Sequence, residues 1–442
     1  MSEGARGVPW ATPPMEREVQ QAKGRGPRHA CNPGRLAAVI ALSRVDGGGH
    51  VEDQLAKLAP NDSRDRALAW FLALGVLRHR GEVDAALRPH LRKPIGTLDA
   101  EVRAALRLGA FETLFGRAAP HAVVHQAVEA IKAAGVPRAS GLVNAVMRRV
   151  QPMSDLRDHD RLNHPAWILA RWVERYGESA AHAWCVDNNE PAPLTCVIRA
   201  GHEQIIDVWR DAGLVVAPAK LRGDELVRAV RLEQSEGNIM DLAGFHDGAF
   251  WIQDPAAIAV ADLVRVRPGT RVLDACAAPG GKTFRMADRG ADVTSVDGHA
   301  KRLQVLKVGL QRLGLSATTR HHDWLNGAMG GGGEFDAVLV DAPCTGLGTL
   351  RRHPEVRWRR QLMDVLDAPK RQLAVLQGAA QHVAPGGQLV YAVCSPEPEE
   401  GEGVIQAFLT DNPSFEVERT LVTAPPMDHE DAHYAASLIR RL

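Results

Sequence analysis

Apolar residues recur at helical spacing through the first third of the chain. One such stripe runs through residues 68–77 and follows Ser63, a residue type that often begins a helix by capping it. Turn-forming residues separate these stripes, as in the glycine run at residues 47–49. We therefore predict that residues 33–150 form a compact all-α bundle.

The pattern changes after residue 150. Short β-like segments at residues 195–198 and 214–216 flank a helical one at residues 203–212. We predict linker helices and then a small α+β module over residues 151–255.

The last part of the chain, residues 256–442, alternates strand-like and helix-like segments at regular spacing. This alternation predicts a doubly wound, mostly parallel sheet, which binds ligands at the carboxyl ends of its strands. The predicted strands are residues 271–275, 292–296, 336–340 and 388–393, and the predicted helices are residues 282–289, 301–313 and 370–382.

Composition is typical of a soluble globular protein. The 442 residues are too many for a single hydrophobic core, and 45% of them are hydrophobic and 24% charged. No apolar run approaches the roughly 20 residues that span a bilayer, and the opening residues lack a signal-peptide core. We expect a cytoplasmic protein without membrane contact, and a disordered basic tail at residues 1–32, which are rich in Gly, Pro and Arg.

The charges are unevenly distributed even though the net charge is zero. Residues 1–150 contain 22 Lys and Arg against 14 Asp and Glu, so their net charge is +8 and that of the remainder is −8. A basic front end indicates an anionic partner such as nucleic acid, although solvated helix faces produce the same pattern.

The six cysteines are scattered, without a Cys-x-x-Cys pair or the Cys/His spacing of a zinc finger. We predict no metal site and reduced thiols, so any role must be argued for each cysteine separately.

A turn rich in small residues links the first strand of the last domain to its first helix. Residues 274–283 read Asp-Ala-Cys-Ala-Ala-Pro-Gly-Gly-Lys-Thr. Small side chains let a ligand approach the backbone and the free N–H groups at the start of the helix. The spacing matches neither the dinucleotide-binding motif nor the P-loop.

Acidic residues at the ends of successive strands indicate a nucleoside cofactor. They are Asp274, Asp297, Asp323 and Asp341. Asp297 is placed to accept hydrogen bonds from ribose hydroxyls, and Asp323 to contact the adenine edge. An isolated Asp at a strand end is often only a helix cap, but the regular recurrence makes that reading weaker here.

Cys344 and Cys394 each follow a predicted strand. A lone cysteine there is usually a small buried hydrophobe, but two at neighbouring strand ends indicate chemistry. Carbon 5 of cytosine is too weak a nucleophile to attack a methyl sulfonium until a thiolate adds to carbon 6. Either Lys282 or a helix N-terminus would lower the pKa of such a thiol. Asp341 is placed to hydrogen-bond the base edge and to support protonation of the ring nitrogen of the base.

These motifs resemble those of the RNA 5-methylcytosine methyltransferases (the RsmB/NOP family), and the likeness extends from about residue 33 to the end. The matching segments are residues 141–146 (Gly-Leu-Val-Asn-Ala-Val), 251–255 (Trp-Ile-Gln-Asp-Pro), 341–344 (Asp-Ala-Pro-Cys) and 351–355 (Arg-Arg-His-Pro-Glu). The front segment resembles the NusB-like RNA-binding domain of the bacterial members that methylate 16S ribosomal RNA.

The resemblance implies a multidomain RNA methyltransferase that acts as a monomer on 16S rRNA and not on DNA. Residues 256–442 would form its α/β Rossmann-like class I S-adenosylmethionine-dependent catalytic domain, and residues 151–255 its small RNA-binding module. Cys394 would be the nucleophile and Cys344 would assist release of the product, with Asp341 and Lys282 as further catalytic residues. The predicted cofactor contacts are Asp274, Cys276, Ala277, Ala278, Pro279, Gly280, Gly281, Lys282, Asp297, Arg302, Asp323 and Asp341.

Three positions depart from the family pattern. Residues 400–402 read Glu-Gly-Glu instead of Glu-Asn-Glu, Thr345 replaces Ser, and residues 431–434 read Asp-Ala-His-Tyr instead of Asp-Gly-Phe-Phe. The nucleophile and the cofactor residues are unaffected.

Two other functions remain open at this point. One is the same chemistry on transfer RNA or another RNA. The other is a non-catalytic RNA-binding or ribosome-assembly factor that keeps the fold. Loss of either cysteine or of the Gly-rich turn would indicate the latter, but all are present.

Overall fold

The computed structural model describes residues 31–58, 60–151, 159–233, 239–331 and 333–442. The predicted tail lies outside the described residues, apart from Cys31 and Asn32.

The chain divides into two compact units. The first contains the described residues of Met1–Val76 and Val83–Ser154, and the second those of Leu77–Glu82 and Asp155–Leu442. The boundaries after residues 32, 150 and 255 stay predictions.

Residues 31–151 are built from helices, as the spacing of apolar residues predicts. Asp62, rather than the predicted Ser63, caps the third of them, because Asp62 Oδ1 accepts from the backbone N–H groups of Arg64 and Asp65 at 3.0 Å each. The helices are α1 Pro33–Val45, α2 Val51–Leu58, α3 Ser63–Arg78, α4 Arg80–Leu87, α5 Ala100–Phe115, α6 Pro120–Ala133 and α7 Ser140–Met147.

The second unit opens with helices and a four-stranded antiparallel sheet of strand order β2-β3-β1-β4. The strand predicted at residues 214–216 extends to Leu221, and a further strand that was not predicted pairs with it, because Arg222 and Gly223 adopt positive φ angles of 52° and 88° and turn the chain directly back on itself. The elements are α8 His159–Leu162, α9 Ala166–Tyr176, α10 Glu178–Asn189, β1 Leu194–Ile198, α11 Ile205–Asp211, β2 Val215–Leu221, β3 Asp224–Glu233 and β4 Phe250–Ile252.

A seven-stranded sheet of order β10-β11-β9-β8-β5-β6-β7 forms the rest of this unit. Neighbours from β9 to β7 run parallel, and β10 and β11 extend one edge antiparallel, so the mostly parallel α/β prediction is confirmed. The elements are α12 Pro255–Leu263, β5 Arg271–Asp274, α13 Gly281–Asp288, β6 Asp292–Asp297, α14 Ala300–Leu313, β7 Thr318–His321, β8 Phe335–Asp341, α15 Glu355–Arg359, α16 Leu362–Ala380, β9 Val383–Val393, α17 Glu402–Asp411, β10 Phe415–Val422 and β11 Tyr434–Arg440.

The small sheet shares a hydrophobic core with the large one. Val197, Ala219 and Trp251 pack in one buried cluster with Phe284 of α13 and Leu310 of α14. The opposite face of the small sheet packs around α11. Both faces of the small sheet are therefore covered, and the small sheet is joined firmly to the segment that forms the seven-stranded sheet.

Strands β5, β8 and β9 lie side by side and parallel, so their carboxyl ends meet at one edge of the sheet. The register pairs Asp274 with Leu339 and Asp341 with Ala392. The segments that follow these strands are therefore neighbours in space, although they are far apart in sequence. Most of the predicted site residues lie on them.

Candidate active site

The two cysteines that follow β8 and β9 are in contact. Cys344 Sγ and Cys394 Sγ lie 3.3 Å apart, and both residues are half-buried. The hydrogen bond with Cys394, and then burial, raise the pKa of Cys344 well above its usual value. Cys344 therefore remains a protonated thiol that can share its proton with Cys394.

Lys282 and Asp341 form an ion pair beside these thiols. Lys282 Nζ, in the first turn of α13, donates to Asp341 Oδ2 at the end of β8 at 2.6 Å. Burial lowers the pKa of Lys282, but the charges of Asp341 and Cys394 outweigh it and raise that pKa overall. Lys282 therefore stays an ammonium next to Asp341 and Cys394.

A buried carboxylate joins the two cysteine loops. Glu400 is 0% exposed. It accepts from Thr345 N and Gln372 Nε2 at 2.8 Å each, and from the hydroxyls of Thr345 and Ser395 at 2.5 Å each. Because Thr345 follows Cys344 and Ser395 follows Cys394, this Glu400 cluster (Glu400, Thr345, Gln372 and Ser395) holds both thiols in place.

Gly348 links the same two segments a second time. Its N–H donates to the Cys394 carbonyl at 3.0 Å, and its carbonyl accepts from Ala432 N at 2.9 Å. A Cβ on Gly348 would lie 1.8 Å from the Ala432 carbonyl oxygen, so only glycine fits.

The turn after β5 wraps around the buried Asp297 side chain. Asp297 Oδ2 accepts from Ala278 N at 3.2 Å, and Oδ1 accepts from His299 N at 2.8 Å. Arg302 donates to the Ala278 carbonyl. Asp297 and Arg302 thus shape this turn, and Gly280 completes it with φ 122°, a conformation that disfavours any side chain.

Asp274 ends β5 beneath this turn. Its Oδ2 accepts from the Thr283 hydroxyl at 2.7 Å, whereas Oδ1 is buried and has no hydrogen-bond partner among the described residues. Burial is the main cause that raises the pKa of Asp274 to about 7. A buried acceptor without a partner is suited to a ligand that donates a hydrogen bond.

A cavity of about 480 Å³ opens above the turn. Of the predicted cofactor residues, Asp274, those from Cys276 to Lys282, and Asp341 line it. Asp297, Arg302 and Asp323 are not among the described residues that line it. Asp323 is exposed, and its Oδ1 accepts from Leu325 N at 3.1 Å, so it caps a short 3₁₀ turn.

A second buried charge network was not predicted. Arg352 donates to Asp254 Oδ2 at 2.6 Å and to Asp431 Oδ2 at 2.9 Å, and so ties the loop after β8 to the start of α12 and to the loop before β11. Arg352 and Asp254 lie within the quoted motifs, whereas Glu400 was noted only beside a departure from the family. The positions of Arg352, Asp254 and Glu400 in the sequence do not indicate which residues these side chains contact.

Two family models match the chain. The model for 16S rRNA methyltransferase RsmB/F matches residues 261–439, and the NusB family model matches residues 32–152. None of the described helices is long and apolar enough to cross a membrane.

Curated relatives match most of the chain. A protein of Thermus thermophilus named ribosomal RNA small subunit methyltransferase B is 37% identical over 87% of this chain and 89% of its own length. A protein of the same name from Pseudomonas syringae pv. tomato is 35% identical over 85% of this chain and 86% of its own.

Solved structures share the fold. The crystal structure of PH0851 has a TM-score of 0.78 at 22% identity and covers 92% of this chain and 98% of its own. The structure of NSun6 from Pyrococcus horikoshii with SFG has a TM-score of 0.55 at 16% identity, covering 62% of this chain and 98% of that one.

Proposed function

The chain belongs to the RsmB/F family of 16S rRNA methyltransferases, and we propose that it methylates carbon 5 of a cytosine in 16S rRNA with S-adenosylmethionine as methyl donor. The observation that carries this proposal is the contact between Cys344 Sγ and Cys394 Sγ at 3.3 Å, beside the Lys282–Asp341 ion pair. A methyltransferase that acts on a ring nitrogen or a ribose hydroxyl needs no thiol, because those atoms are nucleophiles already.

The cavity above β5 fits the donor. Its volume of about 480 Å³ suits a nucleoside-sized ligand, and its wall includes Asp274, whose buried Oδ1 has no hydrogen-bond partner among the described residues. When bound there, S-adenosylmethionine supplies an electrophilic methyl group. The small residues between Ala277 and Gly281 let the ligand lie against the backbone at the start of α13. Asp297, Arg302 and Asp323 would contact the cofactor from positions next to the cavity wall.

Cys394 is the proposed nucleophile, and it adds to carbon 6 of the cytosine. Lys282 stabilises the thiolate before attack. The raised pKa keeps Cys344 protonated before attack. After methyl transfer Cys344 gives its proton to water, and its thiolate takes the carbon 5 proton while that C–H electron pair re-forms the C5–C6 double bond and the bond between Cys394 and carbon 6 breaks. The short distance between the sulfurs supports this role, because it places Cys344 beside the cytosine that is bonded to Cys394.

Asp341 is the proposed contact to the base edge. Its Oδ2 accepts from Lys282, while Oδ1 accepts no hydrogen bond from the described residues. This oxygen remains available to accept from the amino group of the cytosine, and from the ring nitrogen once that nitrogen takes up a proton as the thiolate adds to carbon 6.

The NusB-like front domain and the basic charge of residues 1–150 support an RNA substrate, which we take to be bound by a monomer in the cytoplasm. Relatives named for the small ribosomal subunit favour 16S rRNA over transfer RNA.

The test uses full-length protein and 16S rRNA prepared without modification. Wild-type protein should transfer labelled methyl groups to one cytosine, mapped by bisulfite sequencing. Cys394→Ala should abolish transfer, and Cys344→Ala should accumulate a covalent protein–RNA adduct that survives denaturing electrophoresis. Normal turnover by Cys394→Ala, or methylation at another atom, would overturn the proposal.

A further inference from the structure

The two active-site thiols are placed for a second chemistry that methyl transfer does not use. We propose that Cys344 and Cys394 form an oxidation site, at which a peroxide converts the two thiols into an intramolecular disulfide that reversibly blocks the enzyme. The disulfide follows from geometry alone, whereas its effect on activity rests on the function proposed above.

The first argument is distance. Cys344 Sγ and Cys394 Sγ are already in contact at 3.3 Å, and a disulfide needs them to approach by only about a further 1.3 Å. The two residues follow adjacent parallel strands paired through Asp341 and Ala392, so the approach requires side-chain movement more than any refolding.

The second argument is restraint. The Glu400 cluster bonds the residue after each cysteine, and Gly348 N bonds the Cys394 carbonyl. The thiols therefore cannot move far apart, and the local concentration of one around the other is high. Both residues are half-buried rather than fully buried, and oxidation requires that a molecule as small as hydrogen peroxide reaches the Cys394 sulfur.

The chemistry balances with a peroxide as the oxidant. The Cys394 thiolate attacks the O–O bond of hydrogen peroxide, forms a sulfenic acid and releases hydroxide. The Cys344 sulfur then displaces the sulfenic hydroxyl and forms the S–S bond, while its proton leaves with that hydroxyl as water. Two thiols lose two electrons, and one peroxide becomes two waters. A thiol reductant reverses the change by disulfide exchange.

The consequence is protection as well as inhibition. A disulfide removes the nucleophile from Cys394, so no RNA adduct forms. It also diverts the sulfenic acid from further oxidation to sulfinic acid, which reductants do not reverse. Cys344 thus acts as the resolving thiol for Cys394.

The experiment treats reduced full-length protein with hydrogen peroxide, followed by intact mass measurement and peptide mapping. Wild type should lose about 2 Da, yield a cross-linked peptide of Cys344 and Cys394, and recover with dithiothreitol. Cys344→Ser should instead gain about 32 Da at Cys394 irreversibly. Cys31→Ser, which alters a partly buried thiol of the first unit, should behave like wild type.

Methyl transfer to 16S rRNA is measured on the same samples. Oxidised wild type should lose activity at least roughly tenfold and regain it on reduction, because the nucleophile is masked. Sulfinic acid at Cys394 of wild type without the cross-link would overturn the oxidation site, and full activity of the cross-linked protein would overturn the block. If the cross-link forms but reduced protein transfers no methyl group, the oxidation site stands and the proposed function fails.

Discussion

The Glu400 cluster offers a direct test of how the two cysteine loops are held. Glu400→Ala removes a fully buried carboxylate that accepts four hydrogen bonds, from Thr345 N, Thr345 Oγ1, Ser395 Oγ and Gln372 Nε2. Thr345 N and the two hydroxyls lose their carboxylate partner at once, whereas Gln372 Nε2 keeps its bond to the Pro343 carbonyl at 3.2 Å.

The magnitude follows from the number and type of these bonds. A hydrogen bond to a charged acceptor contributes about 1.5–3 kcal/mol. The contributions do not add fully, because the Thr345 and Ser395 hydroxyls lie 3.3 Å apart and can pair with each other. We expect Glu400→Ala to lower the free energy of unfolding by about 3–5 kcal/mol.

Two further variants test whether the loss of stability comes from removal of the Glu400 carboxylate itself. Glu400→Gln keeps the side-chain volume but replaces one carboxylate oxygen by an amide N–H₂ group, which faces hydrogen-bond donors and cannot accept from them. It should therefore lower the free energy of unfolding by an intermediate amount, about 1–3 kcal/mol. Glu399→Ala is the matched control, because the Glu399 side chain is 31% exposed and pairs with Arg171 at the surface. Its cost should stay below about 1 kcal/mol.

The assay is urea denaturation followed by tryptophan fluorescence. Seven of the nine tryptophans lie in the second unit, so the signal reports mainly the unit that contains Glu400. Covalent adduct formation with RNA is measured in parallel, and it should fall with Glu400→Ala because the thiols lose their support. Stability of Glu400→Ala within about 0.5 kcal/mol of wild type, with normal adduct formation, would refute the reasoning.

Three further predictions concern buried groups of the second unit. Burial, followed by the Lys282 ammonium, lowers the pKa of His433 below 6.5, so this ring is neutral when folded and takes up a proton on unfolding below that pH. His433 should therefore contribute less stability as the pH drops from about 7 to about 5, whereas the raised pKa of the buried Asp274 acts in the opposite direction over the same range. In thermal melts the Tm of wild type relative to His433→Phe should therefore fall over that range; a difference in Tm that does not change with pH would contradict the assignment. Arg357 is 0% exposed and donates to Asn163 O, Asn188 O, Asn189 Oδ1 and Leu350 O. Arg357→Met should cost about 3–5 kcal/mol in urea denaturation, and a change below about 1 kcal/mol would show that the buried acceptors do not depend on it. Gly348→Ala should lower methyl transfer and Tm together, because its Cβ would meet the Ala432 carbonyl oxygen at 1.8 Å; wild-type values for both would exclude the tight contact.

Local patterns were sufficient for the fold class. Helical spacing of apolar residues up to residue 150 and strand–helix alternation beyond residue 269 depend on short-range geometry, and the structure has both. The Gly-rich turn before α13 could also be predicted from the sequence, because Gly280 adopts a φ angle of 122° that disfavours residues with a side chain.

The strand predicted at residues 214–216 was too short and β3 was not predicted, because both depend on pairing across the turn at Arg222 and Gly223. Sequence reasoning also placed Asp297, Arg302 and Asp323 as direct cofactor contacts. In the structure Asp297 and Arg302 bond the Ala278 segment and Asp323 caps a turn, so their roles toward a ligand remain predictions.

The sequence by itself determined which chemical groups are available: two cysteines at strand ends, a lysine at a helix start, and acidic residues after successive strands. Only the tertiary structure decided which of them meet. Cys344 and Cys394 are 50 residues apart and touch because β8 and β9 are neighbours, an order that depends on the packing of the whole sheet. The same packing buries Glu400 between their loops. Local patterns do not record such contacts, because the energy that selects them comes from burial and hydrogen bonding between distant segments.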